Sequence, residues 1–451
     1  LDLLNFLKTN VIAATGCTEP IAIAYAVSLA YHALFQNNIT TDATNTFRFS
    51  NKVPTMQQRN LNKIEIEVDQ NVYKNAYSAI IPGTDGLKGI DVAAAIALYL
   101  NPKDKLNLFK NIHSVKMNKI KQILNKNLIE VSYIEDHMKN YLLSIDVTLK
   151  YQFYNEERIS QVKVRKFHNN IVEINVDGVN MYSNLEHQKN EKEETLSINL
   201  EEILKSVDMA GSNILEEVNI GILMNKRIVK EALANQYGLN IANSLNKIFI
   251  ENKSSNSIIS EIRMKVAAAG DARMGGSNLP VMTSSGSGNM GLIAILPIII
   301  MGERKGISKA KVQRAILLSH IITSIADKYL GHLSVLCGAA IKAGFGVAAG
   351  ITYLLNGSQT QINTAINLLA ANNVGFFCDG AKPGCALKIS TVAGIATECA
   401  LMALNNQKIG PENGIVFKNS DDTLSGIGNL CHSIYALNKK IIEIIKRSNK
   451  N

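Results

Sequence analysis

The 451-residue chain has no tryptophan, only 6 % aromatic residues and just six cysteines. Six cysteines in a chain this long, without the density or spacing of a disulfide framework, indicate a reducing compartment and thiols that are free or metal-bound. A cytoplasmic location is therefore expected. There is no C-x-x-C pair, the short spacing that structural zinc sites usually show, although zinc stays the other metal option. Lysine and arginine number 47 against 38 acidic residues, a net charge of +9. The lysines are scattered and few aromatics interleave with them, so nucleic-acid binding is not suggested; mild basicity suits small anionic substrates equally well.

Long apolar runs are also scarce. Gly291–Met301 is too short to cross a bilayer, whereas Leu333–Leu355 is long enough, since about 20 residues suffice. The second run contains Lys342 and is rich in glycine and alanine. A tightly packed central helix accounts for it better than a span, because small residues let helices approach and a mid-span lysine is costly in lipid. No membrane partner is expected. The opening LDLLNFLKTNVIAATGCTEP shows no basic segment followed by an apolar core and cleavage site, so it does not read as a signal peptide. It begins without methionine, as a trimmed start would.

The length allows two or three domains, because a single core rarely grows past about 250–300 residues. Residues 1–40 read as N-terminal helices packing on a catalytic domain. Residues 41–190 alternate strand-like runs such as KIEIEVDQNVY and IVEINVDGV with the helical DVAAAIALYL, as an α/β domain does. The polar run 184–200 marks the boundary. Residues 191–451 are mainly helical with short glycine-rich loops. The expected class is α+β: a helical catalytic domain with a smaller α/β domain inserted after the N-terminal helices.

The chain is organised around residues 331–390, where Cys337 and Cys385 lie beside glycine or alanine and Cys378 two residues from Gly380. Small neighbours let a bulky inorganic centre approach, and three thiolates on a four-iron cluster leave one iron open as a Lewis acid. Cysteine also serves as a small buried hydrophobe, but the loop CDGAKPGC, with Asp379 and Lys382, is a poor place for one. Cys17 sits just outside a helix whose N-cap is expected at Thr18 and whose first turn holds Pro20. The positive end of that helix would stabilise a thiolate; a cap residue with an idle thiol is the alternative. Glu19 beside it suits a capping acid. In GDARMGGSNLPVMTSSGSGNMG, residues Ser284–Asn289 form a loop ahead of an apolar helix, so Ser285, Ser287 and Asn289 could nest a carboxylate. Arg273 could add charge to the same end or sit in a structural ion pair.

Together GCTEP at 16–20, VYKNAYSAIIPGTDGLKG at 72–89, the GDAR…GNMG stretch at 270–291 and LCGAAIKAGFGVAAG with CDGAKPGCALK resemble the L-cysteine desulfidase family, relatives of iron–sulfur L-serine dehydratases. The resemblance covers most of the chain. It implies a [4Fe-4S] enzyme that splits L-cysteine into hydrogen sulfide, ammonia and pyruvate without pyridoxal phosphate. The ligand set it implies is either Cys17, Cys337 and Cys378 or Cys337, Cys378 and Cys385; the helix-start position favours Cys17, and both stay open. Cys399 and Cys431 match no motif and are expected to be structural. Related enzymes imply a homodimer.

The implied reaction is α,β-elimination on a small amino acid, L-cysteine or L-serine, with the open iron as Lewis acid. Thr18, Ser285, Ser287 and Asn289 are the candidates for holding the substrate carboxylate and amine, with Arg273 for charge and Glu19 for the ammonium. Lys382 and Lys388 are the candidate bases, and His332 is a further one unless local hydrogen bonds satisfy it. Two other classes compete with the lyase. A membrane carrier would need detergent, and a non-catalytic iron–sulfur protein would hold a cluster but release no product.

Overall fold

The computed structural model describes residues 2–42, 46–49, 52–135, 143–184 and 199–449. The expected boundary run at 184–200 lies outside the described residues over 185–198. The fold is α+β, and contacts divide it into two units. Unit one is Leu1–Ala14, Thr195–Cys378 and Lys382–Leu437; unit two is Thr15–Glu194, Asp379–Ala381 and Asn438–Asn451.

The chain opens with α1 (Leu3–Asn10) and β1 (Ala13–Thr15), and Asp2 caps α1 by accepting the Asn5 N–H at 3.1 Å. α2 (Thr18–Ala33) begins one residue earlier than the sequence implied: Cys17, not Thr18, takes the N-cap position. Pro20 lies in its first turn, where a missing N–H costs nothing. α2 is buried without a break from Thr18 to Tyr31, the pattern of a helix enclosed by other elements.

Next come β2 (Ile39–Thr41), β3 (Phe47–Phe49), β4 (Leu61–Val68), α3 (Gln70–Tyr77), α4 (Ile90–Ala97), α5 (Met117–Asn125), β5 (Ile129–Tyr133), β6 (Ser144–Phe153), β7 (Glu156–Arg165), β8 (Ile171–Val176) and β9 (Val179–Ser183). β4–β9 make one sheet in the order β5-β4-β6-β7-β8-β9, antiparallel except for the parallel β4–β5 pair. In β4 the isoleucines Ile64 and Ile66 are buried while Glu65 and Glu67 alternate with them, the period-two pattern of a sheet with one face covered. α2 packs on β6, β7 and β8. Residues 1–40 are therefore split: Leu1–Ala14 groups with the helical unit and α2 with the sheet, because an apolar helix needs a cover on each side.

The run KIEIEVDQNVY does not continue as one strand. Asp69 accepts N–H bonds from Asn71 at 2.8 Å, Val72 at 3.1 Å and Ser144 at 2.9 Å. Those bonds end β4 and start α3. Burial pushes the Asp69 carboxyl up to about 6 against the pull of the same N–H groups.

The helical unit contains α6 (Leu200–Asp208), α7 (Ser212–Ala234), α8 (Ile241–Glu251), α9 (Ile258–Met274), β10 (Pro280–Met282), α10 (Gly288–Lys305), α11 (Lys309–Leu330), α12 (Gly338–Leu354), α13 (Gln359–Asn373), α14 (Cys385–Leu404) and α15 (Ser420–Ser433). α16 (Leu437–Ser448) returns to unit two from Asn438 onward. Asp271 of the GDAR motif caps α8, accepting the Ala242 N–H at 3.1 Å.

α12 is the central helix expected within 333–355, but it covers only Gly338–Leu354; Leu333–Cys337 is non-helical. A Cβ on Gly346 would lie 2.3 Å from Thr323 Oγ1 and 2.4 Å from the Ser319 carbonyl of α11. One on Gly350 would lie 2.5 Å from Ile298 of α10, and one on Gly344 would meet Leu369 of α13 and Val392 of α14 at 3.0 Å. The glycines thus let three sides of α12 close on its neighbours. Among the described residues one helix is long and apolar enough to cross a membrane, α14, with a mean hydropathy of 1.5 over a window that is 56 % buried.

Lys342 is 1 % exposed in this core and donates to Asp327 Oδ1 at 2.9 Å, the Gly331 carbonyl at 2.5 Å and the His332 carbonyl at 3.2 Å. Burial raises the Asp327 carboxyl, but the charges and hydrogen bonds of Lys342 and His332 outweigh it and hold the group below its ordinary value.

Replacing Lys342 with methionine strands the Asp327 carboxylate and is expected to cost about 3–5 kcal/mol in urea denaturation; Asp327→Asn in the same chain should restore part of it. Gly346→Ala is expected to cost about 1–3 kcal/mol, because a backbone carbonyl stands in the way. An unchanged urea midpoint would contradict the close α11–α12 contact.

Candidate active site

Three segments bring thiols to one place in the helical unit. Leu336 and Phe377 form an isolated antiparallel bridge, closed by Cys337 N–H to the Phe376 carbonyl and Cys378 N–H to the Val335 carbonyl, both at 2.7 Å. Side chains alternate across such a ladder, so Cys337 and Cys378 fall on the same face as diagonal neighbours, about 7–8 Å apart. Cys337 is the N-cap of α12 and Cys385 the first residue of α14, so two thiols meet positive helix ends. Cys337, Cys378 and Cys385 are partly exposed, whereas Cys17, Cys399 and Cys431 are buried.

Burial pushes the Cys337 thiol up to about 12, and the charges of Cys378 and Cys385 add to it; the Ala340 N–H and Lys388 oppose. Cys385 is also raised by burial, against the Lys382 charge, the Lys382 N–H and Lys388. The Lys388 ammonium donates to the Phe377 carbonyl at 2.7 Å, bracing the bridge next to Cys378. Lys382 lies half-buried in the loop between Cys378 and Cys385. The middle of that loop, Asp379–Ala381, belongs to unit two, where Gly380, at φ +87°, sits against the Lys74 carbonyl so closely that a Cβ would lie 2.5 Å away.

The expected serine loop is a tight turn. Ser284 and Ser287 exchange both backbone hydrogen bonds, at 3.1 and 3.0 Å, around Ser285 and Gly286, which both have positive φ, as a type I′ turn requires. Ser287 caps α10 by accepting the Met290 N–H at 3.4 Å, and Asn289, placed in the loop by sequence, lies inside the helix. Arg273 is buried and donates to Asn289 Oδ1 at 2.8 Å. Its Nε would lie 2.3 Å from a Cβ at Gly288, so only glycine admits it there. The first turns of α10 and α12 adjoin: Met290 Sδ is 3.5 Å from where a Gly338 Cβ would be, one residue from Cys337.

Cys17, Thr18 and Glu19 fall in unit two and come together there. The buried Glu19 carboxylate accepts from Cys17 Sγ at 3.1 Å, Thr18 Oγ1 at 3.3 Å and Asn75 Nδ2 at 2.9 Å. His168 Nε2 stands 3.9 Å from Glu19 Oε1, close for a charge pair but too long for a good hydrogen bond. Burial raises the Glu19 carboxyl, yet His168, Cys17 and Asn75 together hold it well below the usual carboxylate range. The geometry gives Cys17 a hydrogen bond to donate as a thiol.

Sequence reasoning missed His168, His320 and Asp327. His168 follows a strand in RKFHNN and His320 lies in an apolar helical run; neither carries a motif. Asp327 and His332 sit five residues apart across the end of α11, and His332 Nδ1 is 3.0 Å from Asp327 Oδ2, so local bonding satisfies His332.

The donor set can be tested against a metal centre. Zinc thiolates, at about 2.3 Å from the ion, would crowd to within about 4 Å of one another; among the described residues no group of three or more His, Cys, Asp or Glu stands placed to hold a metal ion. Cys337, Cys378 and Cys385 lie near enough for their charges to act on one another, with Cys337 and Cys385 at two helix starts, and three soft sulfur donors are the chemistry that holds a multi-iron cluster.

The family model described as serine dehydratase alpha chain matches residues 103–442. Similar proteins include a UPF0597 protein of Clostridium botulinum (strain Okra / Type B1), 34 % identical over 435 residues, 95 % of this chain and 93 % of that one. A UPF0597 protein of Caldanaerobacter subterraneus subsp. tengcongensis is also 34 % identical over 435 residues, 95 % and 94 % of the two chains. One of Desulfatibacillum aliphaticivorans is 31 % identical over 437 residues, 94 % and 93 %. With three-quarters of its length matched by that model, the 270–291 and 331–390 stretches inside the match, this chain belongs to the serine dehydratase alpha-chain family.

Proposed function

We propose that the protein is a lyase that removes hydrogen sulfide from L-cysteine by α,β-elimination, leaving pyruvate and ammonia, with a [4Fe-4S] cluster held by Cys337, Cys378 and Cys385. The observation that carries this is the bridge that sets Cys337 and Cys378 on one face beside Cys385 at the head of α14. The hydrogen bond from Cys17 to Glu19 supports Cys385 rather than Cys17 as third ligand. The cluster would supply a Lewis acid for the departing sulfur. L-Serine is the second reading, favoured by the family description, since a hydroxyl can leave with the same assistance.

The chain's own groups account for the rest. Lys382, in the loop between two of the thiols, takes the α-proton; the electron pair of that C–H bond forms the Cα=Cβ bond as the Cβ–S bond breaks and its pair departs with sulfur. The 2-aminoacrylate left behind tautomerises to the imine, and water hydrolyses it to pyruvate and ammonia. Lys388 steadies the bridge through the Phe377 carbonyl, and its ammonium offsets charge at the thiols. Arg273, Asn289 and the serine turn form a polar cluster at the start of α10, whose first turn adjoins that of α12.

Anaerobic purification followed by a visible spectrum and assays of sulfide, ammonia and pyruvate from L-cysteine, with L-serine in parallel, tests the reading. A brown protein releasing these products is expected; a protein that stays colourless and inactive after iron and sulfide reconstitution would sink it. Cys337→Ala, Cys378→Ala and Cys385→Ala should each lose most of the bound iron, while Cys17→Ala keeps it; loss of iron in the Cys17 variant would move the third ligand there. Lys382→Met should lower turnover about 100-fold or more with the absorbance intact, and loss of both together would remove Lys382 as the base.

A further inference from the structure

The serine turn has a feature that the cluster reading does not use. Ser285 is 4 % exposed, sits in the left-handed region at φ +44°, and among the described residues its hydroxyl has no hydrogen-bond partner. A buried hydroxyl without a partner and a non-glycine residue at positive φ both cost free energy, and such costs collect at ligand sites. The hydroxyl stands at the head of α10, an 18-residue helix with no acidic side chain in its first turn. The leading N–H groups of any helix lack intrahelical acceptors and favour an anion. The buried Arg273 guanidinium lies against Gly288 in that turn, and Met290 links the turn to the start of α12 beside Cys337.

The turn is tied at its other corner. Ser284 and His320 are both 1 % exposed, and His320 Nδ1 lies 2.9 Å from Ser284 Oγ. Burial pulls the His320 imidazole down to about 3, so it is neutral at working pH and adds no charge to the turn. α11 carries this histidine, so the backbone of Ser285 and Gly286 is anchored to a core helix.

We propose that Ser285, with the leading N–H groups of α10, binds the substrate's α-carboxylate, and that His320, through Ser284, is the positioning residue that holds the turn in its binding shape. This deepens the lyase reading and rests on it for the identity of the substrate, a free α-amino acid. An amide or ester in place of the carboxylate would lack the charge that the helix end and Arg273 select.

The test uses the anaerobically purified holoprotein, with L-alanine, which has no leaving group, and L-alaninamide, which has no carboxylate, titrated calorimetrically. Iron content and thermal midpoint are recorded in each preparation. L-Alanine is expected to bind at least tenfold more tightly than the amide. Ser285→Ala and His320→Leu should weaken L-alanine binding about 10–100-fold, the loss of one hydrogen bond to a charged group. His320→Asn, whose amide nitrogen replaces Nδ1, should restore most of it. Equal binding of acid and amide, or variants that bind L-alanine like the parent, would overturn the proposal; if His320→Leu does not fold, Ser285→Ala and His320→Asn still decide. Failure of the lyase reading is distinguishable: no product from cysteine or serine together with carboxylate-dependent, Ser285-dependent binding would leave this site standing alone.

Discussion

Two backbone hydrogen bonds of 2.7 Å, from Cys337 to Phe376 and from Cys378 to Val335, are the constraint on which the rest of the helical unit's chemistry depends. They join segments forty residues apart in sequence by a single-residue bridge. Everything around that bridge serves to keep it where it is. α12 starts from its first strand, α14 starts a few residues after its second, and Lys388 reaches back to the carbonyl between them. The glycines of α12 let α11, α13 and α14 close in, and the buried Lys342–Asp327 pair fastens the end of α11 to α12, the helix that Cys337 caps. Packing and charge therefore act on the same few residues.

Much of this was legible in the sequence, for reasons that can be stated. The β4 alternation and the small-residue composition of α12 are local patterns whose period or volume has one sensible structural outcome. The cysteine loop was visible because a polar, glycine-rich stretch has no use for an inert thiol. The Ser284–Ser287 stretch was marked as a place for a carboxylate, although two consecutive positive-φ residues make it a fixed turn rather than a flexible loop. The limits of α12 were overrun by five residues because Leu333–Cys337 is as apolar as the helix it precedes, and hydropathy does not distinguish a short bridge from a helical turn.

What sequence could not provide is pairing over long separations. Nothing in RKFHNN announces that His168 will stand near a glutamate 149 positions earlier, and nothing in SHIITS ties His320 to a serine turn. α2 was assigned to the helical body because it is a helix near other helices in the chain; the structure places it with the sheet because its apolar surface runs all the way round. Cys17 is instructive in the same way. Its helix-start position was legible, but Glu19, read as a capping acid and as the group for a substrate ammonium, accepts the Cys17 hydrogen bond at the centre of a buried polar knot.

The bridge also determines when the thiol site comes into being. Its parts are located by backbone bonds, helix starts and a lysine brace, all of them interactions of the polypeptide with itself. A site made this way is complete once the chain has folded, unlike a zinc finger, whose ligands find one another only through the metal. Burial and mutual proximity hold the Cys337 and Cys385 thiols above their ordinary range, so the folded chain keeps both in the protonated form. The consequence is that the architecture does not depend on the sulfurs: the bonds that locate Cys337 and Cys378 are those of the backbone, so the fold around the three positions persists whatever the thiols do.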